Sequence, residues 1–386
     1  MTVLATVEDH RTAGPAALSI ARLAVTRFRC YESVRLSPDA RPVVLAGANG
    51  AGKTNLLEAI SLLAPGRGLR RARLAEMDRH GDAGGWGVAA VVATPQGEVE
   101  IGTGREPDGE RRVVRINGEA ARGQTALADF VSALWLTPDM DRLFREGASA
   151  RRRFLDRLVF GFDPAHAGRV TAYEQAMRER ARLLGDGSGD DAWAAALEET
   201  MAARGVAIAA ARLDMVQRLS RALAVATGPF PGVALSVAGT VEEWLGSQPA
   251  LAVEDRLKAA LRAARRQDAQ SGSTSVGPHR SDLEARHLAK DMPAAYCSTG
   301  EQKAMLIAIV LAEARLQAAE RGVAPLLLLD EVAAHLDEER RRALFDVICG
   351  LPGQTWMTGT DAALFAPLGQ RAQHFSVADA TVAALN

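Results

Sequence analysis

The segment Gly47-Ala48-Asn49-Gly50-Ala51-Gly52-Lys53-Thr54 limits what this chain can fold into more than any other stretch. Its glycines let backbone N–H groups turn inward and cradle phosphate oxygens. A lysine at the end of such a loop reaches the β- and γ-phosphates of a nucleotide, and the hydroxyl after it suits Mg²⁺. The flanks separate it from a chance glycine loop. Val43–Ala46 reads as a short apolar strand running into it. Asn55–Leu63 reads as a helix leaving it, with Leu56, Leu57, Ile60 and Leu63 on one face. Lysine usage agrees: of only Lys53, Lys258, Lys290 and Lys303, one stands where a compact ammonium is required.

Two later segments complete a pattern. Leu326-Leu327-Leu328-Leu329-Asp330-Glu331 reads as a strand buried on both faces and ending in two carboxylates. Asp330 would hold Mg²⁺ through water, and Glu331 would orient and polarise an attacking water. Alone, it is equally a core strand with acidic surface residues. Ser298-Thr299-Gly300-Glu301-Gln302 opens a helix and can offer a hydroxyl, N–H groups and the helix dipole to a phosphate. Alone, it reads better as an ordinary capping box.

The order of these segments, followed by Ala333-Ala334-His335-Leu336-Asp337, resembles that of ABC-type ATPases. In that family two nucleotides are sandwiched in a head-to-tail dimer, and the signature serine of one subunit touches the γ-phosphate held by the other. The resemblance implies ATP bound by Gly47, Ala48, Asn49, Gly50, Ala51, Gly52, Lys53, Thr54 and Asp330, with Thr54 and Asp330 as Mg²⁺ ligands. It makes Lys53 and Glu331 catalytic, gives Ser298 and Gly300 to the partner copy's nucleotide, and puts Asp337 at the dimer seam. It therefore implies an ATP-dependent homodimer.

The chain has 386 residues, enough for two domains or one large domain with an insertion and a sizeable core. A net charge of −1 argues against a general nucleic-acid binder, but the arginines are clustered. Cys30, Cys297 and Cys349 form no CxxC pair, which argues against a disulfide framework or structural metal and fits a reducing cytoplasm. No signal peptide and no apolar run of membrane-spanning length is visible.

The expected class is α/β: a mixed sheet with the phosphate loop, an antiparallel β subdomain and a helical insertion lobe. The expected divisions are a flexible extension over 1–17, the first part of the ATPase core over 18–145, the helical lobe over 146–270, and the second part of the core over 271–386. Strands are expected at Ile20–Val25, Ser33–Leu36, Val88–Ala93, Val99–Thr103 and Arg112–Ile116. Ser149 is a candidate N-cap for a helix carrying Leu155, Leu158 and Val159. Helices are expected over Pro164–Leu184, Asp191–Ala226 and Ala250–Arg266, then a polar linker over Gln267–Ser275. Helix Glu301–Glu320, strand Leu326–Leu329, helix Glu338–Cys349 and strand Thr355–Met357 follow.

From Thr54 to Ser298 the chain runs too far for a transporter ATPase and not far enough for a protein with a long coiled-coil arm. From Ile20 onward it resembles the RecF family of DNA replication and repair proteins. The resemblance rests on Phe28-Arg29-Cys30-Tyr31, the phosphate loop with Asn55–Ile60, Gly66-Arg67 and Thr137-Pro138-Asp139. Its most specific parts are Arg151-Arg152-Arg153-Phe154-Leu155-Asp156 and Gly277-Pro278-His279-Arg280-Ser281-Asp282-Leu283. It implies a weak ATPase of the cytoplasm and the DNA-damage (SOS) response that binds double-stranded and gapped DNA. With RecO-type and RecR-type mediators it would promote RecA loading. Two departures stand out. Where ABC-type ATPases usually carry a histidine, this chain has Thr358-Gly359-Thr360-Asp361. No glutamine stands near Leu134–Pro138, and Gln124 lies too early.

Arg67, Arg70, Arg71 and Arg73 are candidate DNA-phosphate contacts; the plain reading is a solvated basic loop. The Arg151–Arg153 run suits ion pairs across the lobe interface as well as nucleotide or dimer contacts. Competing readings are the ATPase subunit of an ABC transporter and a non-hydrolysing scaffold, which would have no need of Glu331.

Overall fold

The computed structural model describes residues 18–79, 81, 84–186, 190–225 and 228–385, apart from the His335 side chain. The extension over 1–17 and Gly187–Gly189 lie outside these residues.

The chain opens with the hairpin β1 (Ser19–Phe28) and β2 (Tyr31–Leu36), then β3 (Val43–Ala46) and α1 (Lys53–Ser61). Next come β4 (Trp86–Thr94), β5 (Gly97–Arg105), β6 (Arg112–Ile116), β7 (Glu119–Ala120) and β8 (Ala133–Leu136). Helices α2 (Ala148–Phe160), α3 (Ala165–Gly185) and α4 (Asp191–Ala224) lead to β9 (Val233–Ala238), α5 (Thr240–Leu245) and α6 (Ala250–Ser271). The chain then forms β10 (Asp282–His287), β11 (Met292–Pro293), α7 (Thr299–Arg321), β12 (Leu326–Leu329) and α8 (Glu338–Gly350). It ends with β13 (Thr355–Gly359), β14 (Gln373–Ala378) and β15 (Thr381–Leu385).

The central sheet has the order β15-β14-β3-β13-β12-β8, parallel except for β15. Every residue of β3, β12 and β13 is buried, as expected where both faces of a parallel sheet are covered. Side chains alternate between faces. Leu326 and Leu328 pack with α1 residues Leu56 and Ile60 and with Val25 and Val92 of the antiparallel sheet β2-β1-β4-β5-β6-β7. Leu327 and Leu329 pack on the other side with Met305 of α7, Leu344 of α8 and Leu155 of α2. The four leucines thus hold two layers onto one strand, each burial contributing roughly 1.5–3 kcal/mol.

Helices α3 to α6 have their own core, including Tyr173, Met201, Val206, Leu257 and Leu261. The end of α4 leaves it: Met215, Leu219 and Leu223 join the cluster around α7. A third sheet, β11-β10-β9, adjoins this junction. No described helix is long and apolar enough to cross a membrane.

Several boundaries differ from the sequence expectation. Helix α1 starts at Lys53, because Gly52 (φ 113°) turns the chain directly into it, and it ends at Ser61. Helix α2 is capped by Gly147; Ser149 lies in its first turn and accepts from Arg153. Helix α6 runs through the first half of the expected linker, where buried Asp268 accepts from Arg180 and from the Ser275 amide. The hairpin β14–β15 was not foreseen. Its turn is Asp379-Ala380, both left-handed (φ 46° and 56°), without the glycine that usually marks such turns.

The two specific segments, Arg151–Asp156 and Gly277–Leu283, dock on each other. Arg151 pairs with Asp282 at 2.7 Å, and Arg152 donates to the Ser281 carbonyl. Asp156 accepts from Arg212 on both oxygens, and Arg212 also donates to the Pro278 carbonyl. Nε2 of His279 faces the Thr274 carbonyl at 2.9 Å, and a carbonyl can only accept. Nδ1 is then the acceptor for the Tyr173 hydroxyl at 2.7 Å. Burial lowers the His279 pKa, which favours this neutral ring. These residues buckle α2, α3 and α4 to β10.

Arg180 is fully buried and bonds Glu198, Asp268 and the Leu261 carbonyl, tying α3, α4 and α6 together. Arg180→Met leaves two buried carboxylates without this partner and should cost about 3–5 kcal/mol in urea unfolding. Glu313 on α7 is buried, and its Oε2 has no hydrogen-bond partner. Burial raises its pKa from 4.5 to about 8. The folded chain keeps a proton that the unfolded chain releases, so stability falls as pH rises from about 4.5 to about 8. Glu313→Gln should match the parent melting temperature near the low end of that window. Its unfolding free energy should exceed the parent's progressively toward the high end, by on the order of 1 kcal/mol per pH unit.

Candidate nucleotide-binding site

The phosphate loop emerges where β3 ends between β13 and β14. The Gly47 amide donates to the Gly359 carbonyl at 3.1 Å. A β-carbon on Gly47 would lie 2.0 Å from the Val377 carbonyl oxygen, so β14 closes that side to any side chain. Ala48, Asn49 and Gly50 form an exposed crest, and Lys53 is buried beneath it. Its ammonium donates to the Gly47 and Ala48 carbonyls at 2.7 and 2.9 Å, so the charge points into the loop.

Thr54 faces the end of β12. Its hydroxyl lies 3.0 Å from both carboxylate oxygens of Asp330. The Asp330 amide donates to the Leu136 carbonyl of β8. Thr358, at the end of β13, donates to Asp330 Oδ1 at 2.7 Å and accepts from the Glu331 amide at 2.9 Å. Glu331 is half-buried and left-handed, with φ 51°. Lys303 of α7 is buried behind it, 3.4 Å from the Glu331 carbonyl and 3.3 Å from Asp141 Oδ2.

These residues fit ATP with Mg²⁺. The buried Lys53 ammonium beneath the glycine loop suits phosphate. Thr54 and Asp330 would hold Mg²⁺ through hard oxygens, and the cation would neutralise phosphate charge. No group of three or more His, Cys, Asp or Glu able to hold a metal occurs among the described residues.

Other candidates fall elsewhere. Ser298 caps α7, accepting from the Glu301 amide while Glu301 accepts from the Ser298 amide, so the capping box is present. Lys290 and the Ser298 amide lower the Glu301 pKa to about 2. Ser298 and Gly300 are exposed. Among the described residues, no hydrogen bond of Ser298 reaches residues 47–54 of its own chain. Asp337 caps α8 through the Arg340 amide and is exposed. Gln124 accepts from Arg112.

The basic loop is not uniformly solvated. Arg70 donates to Asn55 Oδ1 and to Glu58, a fully buried carboxylate that also takes two bonds from Arg29. Arg70 is therefore exposed and paired at once. Arg67, Arg71 and Arg73 are exposed. Partial desolvation of the Arg71 guanidinium lowers its pKa, helped by Arg153 and Arg67 and opposed by Glu174 and Asp156, so charges of both signs surround it. Sequence reasoning missed Thr358, Lys303 and Asp141 as site neighbours. The Asp330 contact at the end of β13 is a threonine hydroxyl, which carries no motif of its own.

Residues 19–364 match the family model described as the RecF/RecN/SMC N terminal domain. The chain is 51% identical over 372 residues to the DNA replication and repair protein RecF of Rhizobium etli, covering 95% of this chain and 99% of that one. It is 52% identical over 373 residues to the protein of that name from Mesorhizobium japonicum, covering 95% and 98%. Among solved structures it is similar to the recombination mediator protein RecF-ATP in the RecFOR pathway, with a TM-score of 0.81, 23% identity and 96% and 100% coverage. It is also similar to the Smc head domain from Pyrococcus furiosus bound to the C-terminal domain of ScpA, with a TM-score of 0.53, 19% identity and 96% coverage of each chain.

Proposed function

The chain belongs to the RecF family, and from that premise we propose that it is an ATP-dependent DNA-binding protein of recombinational repair and replication. The observation that carries this reading is the Thr54 hydroxyl on the Asp330 carboxylate beside a buried, inward-pointing Lys53. It supports a site for ATP with Mg²⁺ between the phosphate loop and β12. In this reading Lys53 binds phosphate, Thr54 and Asp330 hold the cation, and Glu331 orients water for slow hydrolysis. When bound, the cation would neutralise phosphate charge.

Ser298 and Gly300, exposed at the N-terminus of α7, would bind the nucleotide of a second copy, with Asp337 at the seam. ATP would thus favour a head-to-tail homodimer, because the differential contact exists only when a γ-phosphate is present. Arg67, Arg70, Arg71 and Arg73 would grip backbone phosphates of duplex or gapped DNA. RecO-type and RecR-type mediators are the proposed partners for loading RecA, in the cytoplasm. The transporter reading is set aside: relatives matched over nearly their whole length are DNA replication and repair proteins.

DNA binding by the purified chain, followed by fluorescence anisotropy on a gapped duplex, tests the proposal. ATP should tighten binding by about tenfold or more over ADP, and Lys53→Met should abolish the difference. Equal affinity with ATP and ADP would sink it. Glu331→Gln with ATP should elute as a dimer at micromolar concentration; a persistent monomer would refute the head-to-tail arrangement.

A further inference from the structure

Glu331 has an unusual backbone for a residue with a β-carbon: φ 51° and ψ 28° lie in the left-handed region. Such a conformation persists where the surroundings over-determine it, and often at functional sites. Here the peptide is approached from both ends. Its amide donates to Thr358 Oγ1 at 2.9 Å. Its carbonyl lies 3.4 Å from the Lys303 ammonium, which is itself 3.3 Å from Asp141. A threonine hydroxyl has one proton and two lone pairs. With that proton on Asp330 Oδ1 at 2.7 Å, a lone pair is free to take the Glu331 amide. One buried hydroxyl therefore fixes both consecutive carboxylate residues.

We propose that Thr358 is a positioning residue for hydrolysis: by bridging Asp330 to the Glu331 amide it sets where the Glu331 carboxylate points. This rests on the reading of Glu331 as the residue that orients water. Thr358 has no exposed surface, so water cannot readily replace its hydroxyl. Lys53 donates to the Gly47 and Ala48 carbonyls, so phosphate binding by the loop is separate from this bridge, whereas cation binding at Asp330 is not.

Thr358→Val keeps the shape and removes the hydroxyl; Thr358→Ser keeps the hydroxyl. Single-turnover ATP hydrolysis by the full chain on gapped DNA should fall by on the order of 10²-fold in Thr358→Val, the scale of a misplaced catalytic group. ATP affinity measured without added Mg²⁺ should stay within about threefold, and Thr358→Ser should stay within about threefold of the parent rate. A Thr358→Val rate within threefold of the parent overturns the inference. So does equal loss in both variants with a lowered melting temperature, which marks a merely structural role. If Thr358→Val does not fold, Lys303→Met loosens the same peptide from its carbonyl side. It should show the same split between rate and affinity, and an unchanged rate overturns the inference. Glu331→Gln separates the two levels. If it hydrolyses normally, the reading of Glu331 is wrong; if it is impaired while Thr358→Val is normal, only the Thr358 bridge fails.

Discussion

The carboxylate of Asp330 is the point on which the rest of the site depends. It is buried, so it must be hydrogen-bonded. Its partners come from Thr54 at the start of α1 and Thr358 at the end of β13, while its own amide is held by Leu136 of β8. These contacts require a fixed register between the strand ends. Met357 lies opposite Leu329 and Leu329 opposite Leu136, which brings Thr358 beside Asp330, and Gly359 lies opposite Ala46 at the start of the phosphate loop. Slipping β12 by one residue would exchange the leucines facing α1 with those facing α7. The hydrophobic pattern that specifies the sheet thus also specifies the site, and neither can drift without the other.

The parts legible in the sequence were those whose information is local. The apolar runs Val43–Ala46 and Leu326–Leu329 are bounded by glycine or carboxylates, and both are strands as expected. The order of the phosphate loop, Ser298 and Asp330 is one-dimensional and carries the family resemblance. Thr358 was illegible because a lone hydroxyl on an apolar strand has no local signature, and its partners lie 27 and 28 residues away. The last hairpin was illegible because Asp379-Ala380 takes left-handed conformations without glycine. The end of α6 was masked by polar composition: Asp268 looks like linker until Arg180, 88 residues distant, is brought against it.

Charge shows the same limit. The arginine clusters are evident in the sequence, but their partners are not. Glu58 draws Arg29 and Arg70 to the flank of α1, so Arg70 clasps the basic loop to that helix. Arg151 is neutralised by Asp282 at the lobe junction. Positive charge that depresses its own neighbour remains around Arg71, Arg153 and Arg67. A net charge of −1 is therefore compatible with a local anion-seeking surface, because sequence totals average over pairs that the fold has already made.

Helix α7 joins these parts. Its first residues, Ser298 to Gly300, are exposed, while almost every residue from Gln302 to Ala314 is buried. Along that buried flank Lys303 meets Asp141 and the Glu331 peptide. Near its far end Arg321 donates to the Gly161 carbonyl, and Glu320 pairs with Arg218 of α4. A helix packed this closely resists bending and moves as a unit, because its neighbours leave no slack to absorb a local shift. A push at its exposed cap would therefore be felt at Glu331 and at the helical lobe together.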